Sequence, residues 1–223
     1  MHHQSAGELR YREEDQVRRG GKKDILTDGT NIVLEKEIPI WSKYGKPIRA
    51  VGPRVKALNN PKLGEPLELE IDYHGTLRTS ICGCCLGIQY IEALEMALEV
   101  CDAMSIPPEA VKAGLSTFKG VPGRGEVRKE GGRWYVLERN PGISHMSVRR
   151  TLETLRQMGC LMGAMVIIDP VSKKVCDKLD RDLIEEVVRE FGVGLMITPG
   201  DGTEPEVPES VRLVIRMIKE GYQ

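Results

Sequence analysis

Apolar positions along this chain follow two rhythms, one before about residue 85 and another after it. In the first stretch the apolar runs are short and of β type. Asn31–Leu34 follows the turn signal Asp28-Gly29; Pro39-Ile40-Trp41, Pro47–Val51 and Leu67–Ile71 are further strand candidates. Leu67-Glu-Leu-Glu-Ile71 alternates apolar and charged residues, the period of a half-exposed strand, and His74-Gly75 offers a hairpin turn into Thr76–Ile81. The period then lengthens. Ile88, Ile91, Leu94, Leu98 and Cys101 recur every three or four residues and share one helical face. Pro107-Pro108 opens a second helix, because proline is tolerated where the first turn lacks a donor's partner.

Gly120-Val-Pro-Gly-Arg-Gly125 cannot hold a regular element and reads as a linker. Beyond it the pattern is strand, helix, strand, helix. A hairpin is predicted from Glu126–Arg128 and Arg133–Leu137, around Gly131-Gly132. Ser144 or Ser147 caps a helix running to about Met158. Ala164–Ile168 is a continuous apolar run, as in a strand buried on both faces, and Leu195–Ile197 is another. Helices are predicted over Arg181–Phe191 and Pro208–Glu220. Alternation of this kind implies parallel β-α-β units with helices on the sheet. Ligands bind such sheets at the carboxyl ends of strands. That rim comprises Glu138–Ser144, Asp169–Lys174 and Thr198–Thr203.

Composition narrows the function classes. Net charge is -1 over 223 residues, which excludes a global field drawing the chain to nucleic acid. Aromatics at 4% leave no base-stacking surface. No apolar stretch approaches the roughly 20 residues of a membrane span. Residues 1–24 interleave arginines and lysines with glutamates and read as a solvated polar arm without an apolar leader segment. The expected location is therefore cytoplasmic. In that setting the six cysteines are expected as reduced thiols. Cys82, Cys84 and Cys85 would suit a soft metal, with Cys101 as a fourth ligand. Small buried residues at a strand–helix junction are the preferred reading, so no metal is expected there.

No G-x-x-x-x-G-K-[ST] sequence is present, so this chain carries no recognisable phosphate-cradling loop. What it does carry is Gly120-Val-Pro-Gly-Arg-Gly-Glu126, then Trp134-Tyr-Val-Leu137, then Asn140-Pro141, then a helix and an apolar strand ending in Asp169. Pairing across the hairpin brings Arg124 beside Asn140, and arginine's planar fork suits phosphate oxygens. This order resembles the C-terminal domain of the Mur ligases. That domain begins with a G-x-x-G-R-x-E loop, a hairpin and an Asn-Pro turn. Glu92-Ala93-Leu94, Pro107–Leu115 and Asn31-Ile-Val-Leu34 are similar to the end of the family's central domain.

The resemblance implies a mixed α/β fold with a Rossmann-like, mostly parallel sheet over residues 120–223. A partial central α/β segment over 25–119 would precede it, so that the chain starts inside the central domain. It implies ATP and Mg2+ as cofactors, with Arg124 on the phosphates and Asn140 in the turn beside the nucleotide. The family's ribose-binding acidic position falls on Val136, leaving Glu138 as the nearest carboxylate, with Arg139 adjacent. Substrate contacts fall on Ser144, His145, Asp169, Lys173 and Lys174. The chemistry implied is ATP-dependent amide-bond formation through an acyl phosphate. The missing phosphate loop implies either that the chain is a fragment or that a separately encoded P-loop half is its partner; an amidotransferase subunit is a further candidate partner, and an acid and an amine are the implied substrates. Two other classes remain open: a non-catalytic module of Mur-like fold, and a metal-binding protein built on Cys82–Cys85.

Overall fold

The computed structural model describes residues 26–139, 144–168, 180–197 and 209–220. Its backbone forms two compact units. One comprises Met1–Arg54 with Glu92–Ile106, the other Val55–Ile91 with Pro107–Gln223.

In the first unit, β1 (Asn31–Leu34) pairs in parallel with β2 (Ile48–Val51). Between them lies a short helix, α1 (Ile38–Trp41), flanked by 3-10 turns. The expected strand at Pro39–Trp41 is thus a helical turn. Pro39 sits in the first turn, where a missing amide hydrogen leaves no bond unmade, and Trp41 is buried. The long helix α2 (Ile91–Ala103) contributes Leu98, and its buried Glu99 is paired with Arg49 and Arg54. Arg54 also binds Asp102.

The second unit begins with an antiparallel sheet of β3 (Val55–Ala57), β4 (Leu67–Asp72) and β5 (Thr76–Ile81). β4 behaves as its alternation predicts: Leu67, Leu69 and Ile71 are buried, while Glu68 and Asp72 are exposed. Its turn into β5 uses His74 and Gly75 at φ 49° and 121°. The strand β3 has no clear periodicity in the sequence and was not expected. Helix α3 (Pro108–Thr117) packs on β5.

The expected hairpin forms from β6 (Glu126–Glu130) and β7 (Arg133–Leu137), with Glu126 opposite Leu137. Helix α4 (His145–Gln157) starts at the predicted Ser144, whose hydroxyl accepts from Ser147 N–H at 3.3 Å. Strands β8 (Met165–Ile168) and β9 (Gly194–Ile197) pair in parallel through the crossover helix α5 (Arg181–Phe191). Asp180 caps α5 by accepting from Leu183 N–H at 3.1 Å. β8 is not buried throughout: Ile168 is buried with Ile184 and Val188, but Met165 is exposed at the strand start. Helix α6 (Glu209–Glu220) is last. The described residues therefore form a mixed α/β structure with several sheets and six helices. Among them, no helix is long and apolar enough to cross a membrane.

A core of Leu86, Val127, Leu155 and Met158, backed by Leu63 and Val136, joins the loop after β3 to the hairpin and α4. Packing here is tight at two glycines. The Trp134 ring lies over Gly64, and a Cβ at Gly83 would overlap the Gly64 carbonyl and Glu65 nitrogen. Because backbone cannot yield as a side-chain end can, Gly83→Ala is expected to destabilise the chain by about 1–3 kcal/mol. The measurement is a lowered urea midpoint at unchanged slope.

Candidate functional site

The loop carrying Arg124 is held from three sides. Its own sequence supplies the first constraint. Gly123 and Gly125 have φ of 71° and 58°, where side chains are disfavoured. A Cβ at Gly123 would meet Arg139 Nε at 2.6 Å. The turn closes through Arg124 N–H donating to Val121 O at 2.9 Å.

Tyr90 supplies the second. Its hydroxyl accepts from Val121 N–H at 2.9 Å and donates to Arg124 O at 2.6 Å, so one oxygen bridges both ends of the turn. Its ring meets Phe118 edge-on with centroids 5.1 Å apart. Burial pushes the Tyr90 hydroxyl above its ordinary pKa, so it remains a donor at neutral pH.

The third is the hairpin. Arg139 N–H donates to Gly123 O at 2.6 Å, and its guanidinium pairs with Glu126 and donates to Met217 O at 3.2 Å. Glu126 in turn accepts from Gly123 N–H at 2.8 Å and pairs with Arg128 at 2.6 Å. Beside this cradle, Leu86 N–H donates to Gly125 O at 2.8 Å.

These constraints leave the Arg124 side chain exposed. Glu138 lies within its electrostatic reach, as does Arg150 of Glu138. Glu138 accepts from Thr151 Oγ1 at 3.0 Å. Burial holds its carboxyl above the usual carboxylate range, although the Thr151 hydroxyl, the Gly125 amide and the two arginines pull the other way. Gln89 completes the group: its amide lies 3.4 Å from the hydroxyls of Thr151 and Thr154, and its carbonyl accepts from Arg150 at 3.1 Å.

The structure therefore brings together Arg124, Glu138 and Arg139 among the residues singled out in the sequence, and adds Tyr90, Gln89 and Thr151. Tyr90 and Gln89 precede Arg124 by more than thirty positions in a stretch read only as apolar periodicity, so nothing in the pattern marked them. Ser144 is the cap of α4 and His145 is buried in its first turn. Asn140, Asp169, Lys173 and Lys174, and the loop at 198–203, lie outside the described residues.

Cys82 and Cys84 are joined by a disulfide, which corrects the expectation of reduced thiols there. The turn at Gly83 brings their Cα atoms to 5.3 Å, within the range such a bond requires. Cys85 is buried, as the packing reading expects, and Cys101 lies on α2. Among the described residues, no group of three or more His, Cys, Asp or Glu side chains is placed to hold a metal ion.

Glu126 gives the loop a pH dependence. Burial raises its pKa, but the Gly123 amide, Arg128 and Arg139 outweigh that and leave it below the usual value. Its contribution to stability is complete above the unfolded-state pKa of about 4.3 and is lost as pH falls through the lower folded value. Unfolding midpoints compared with those of Glu126→Gln should show the wild-type advantage at pH 6 shrinking steadily below about pH 4.3.

No protein-family model matches the sequence, and no curated protein does. Solved structures do resemble the chain. MurF from Acinetobacter baumannii aligns with a TM-score of 0.51 and 16% identity, over 88% of this chain and 47% of that one. Folylpolyglutamate synthase from Thermotoga maritima aligns with a TM-score of 0.48 and 15% identity, over 85% of this chain and 53% of that one. The chain thus spans about half the length of the structures it resembles. At such identity the likeness speaks for architecture alone, and by its match to MurF this chain has a Mur ligase-like fold.

Proposed function

We propose that this chain supplies the closing C-terminal portion of an ATP-dependent ligase that forms an amide bond through an acyl phosphate. In this reading residues 120–223 are the closing domain, 25–119 the end of a central domain, and 1–24 a polar arm. Arg124 meets the phosphates of ATP, and Asn140 lines the nucleotide with Glu138 and Arg139 behind it. Asp169, Lys173 and Lys174 face the acid and the amine, with Ser144 and His145 at the start of α4. A phosphate-loop protein or an amidotransferase subunit is the partner, the setting is cytoplasmic, and neither nucleic acid nor a membrane is involved.

The observation that supports this reading most is the posture of Arg124. Tyr90 bonds both ends of its turn, Val121 N–H and Arg124 O, while the Arg124 guanidinium is exposed. A planar cation on a pre-formed turn binds phosphate oxygens with little ordering of its own, and domain closure would then exclude water from the activated carboxylate. Arg139 contributes by holding the turn rather than by extending from it. The exposed guanidinium fits the phosphate side of ATP. In this reading Mg2+ belongs to the phosphate-loop half.

The test is a titration of the chain with ATP, followed by the NMR signals of the Arg124 side chain and the Gly123 and Gly125 amides. ATP should shift these signals, and Arg124→Ala should weaken binding by about 10- to 100-fold, the worth of a charge-assisted hydrogen bond. Equal affinity in wild type and Arg124→Ala would overturn the reading and leave a non-catalytic module of Mur-like fold.

A further inference from the structure

The turn between β5 and the 3-10 segment Gly87–Tyr90 holds three cysteines in four residues. Two are paired and partly exposed; the third, Cys85, is buried. A disulfide spanning two residues closes too short a loop to restrict the unfolded chain much, so its consequences are local.

Locally it abuts the Arg124 loop at both ends. Cys84 O accepts from Val127 N–H at 2.8 Å, Cys85 forms a β-bridge with Glu126, and Leu86 N–H donates to Gly125 O at 2.8 Å. Residues 84–86 thus lie antiparallel to 125–127 through a single β-bridge, where the chain leaves the loop. Where the chain approaches it, Cys84 Sγ lies 3.4 Å from Lys119 O. Gly83, pressed on the backbone of Gly64, leaves the turn little room to absorb a change.

We propose that Cys82 and Cys84 form a reversible thiol–disulfide exchange site, reduced by a dithiol, whose state sets how firmly the loop carrying Arg124 is anchored. A thiolate of the dithiol attacks one sulfur, the Cys82–Cys84 bond breaks, and a mixed disulfide forms. The second thiolate of the reductant displaces it, leaving two protein thiols and a cyclic disulfide. Two electrons come from the dithiol, and its two protons end on Cys82 and Cys84. A small-molecule disulfide reverses the sum, yielding two thiols of its own. Cys85 does not compete: burial pushes its thiol up to about 11, so the reactive thiolate is scarce.

That the anchored loop serves ATP rests on the function proposed above; the exchange site itself does not. The experiment compares the chain treated with glutathione disulfide and with dithiothreitol, each freed of reagent. Mass after alkylation should show two fewer free thiols in the oxidised sample. Amide exchange at Leu86 and Val127 should be several-fold slower in that sample, and ATP affinity several-fold higher. Cys84→Ser should match the reduced chain under both treatments. Failure of glutathione disulfide to remove two thiols, or equal exchange at Val127 in both samples, overturns the proposal. If Val127 follows the redox state while ATP binds neither sample, the exchange site stands and the ATP reading falls.

Discussion

The carboxylate of Glu126 accepts from the Gly123 amide and faces the guanidiniums of Arg128 and Arg139. Arg139 reaches onward to the backbone of α6 and back to Gly123. One ion pair thereby ties together the start of β6, the second residue after β7, the last helix and the loop between the halves of the sequence. Pairing matters here because the Arg139 side chain is only 9% exposed. A guanidinium at that depth is strongly unfavourable without its carboxylate, so the pair enforces a geometry more than it adds net stability.

Around that pair, shape does what charge does not. Leu86, Val127, Leu155 and Met158 draw the cysteine turn, the hairpin and α4 into one core. Gly64 and Gly83 let backbone approach backbone at its edge, under the Trp134 ring. The loop is pinned by polar contacts above and by close packing below, and the Arg124 side chain is left exposed.

Most of the regular elements were legible. Strict alternation in Leu67–Ile71, the paired prolines before α3 and the serine before α4 each encode a local preference that tertiary contacts did not override. Pro39–Trp41 misled because three apolar residues fit a helical turn as well as a strand, and β3 was too short to carry a period. The site was half legible. Arg124 and Glu138 stand in a recognisable local order, whereas Tyr90, Gln89 and Thr151 act across long separations that no spacing reveals. The disulfide was misjudged because cysteine count and setting say nothing about how near two neighbouring sulfurs are held.

The contacts that shape the Arg124 loop also have an order in time. Tyr90 and Arg124 are 34 residues apart, and Arg139 and Met217 are 78. Contacts of such separation raise the contact order and slow the search for the native arrangement. During synthesis the turn can close on Tyr90 as soon as the hairpin emerges. Its guanidinium clamp has no partner on α6 until that helix has been synthesised.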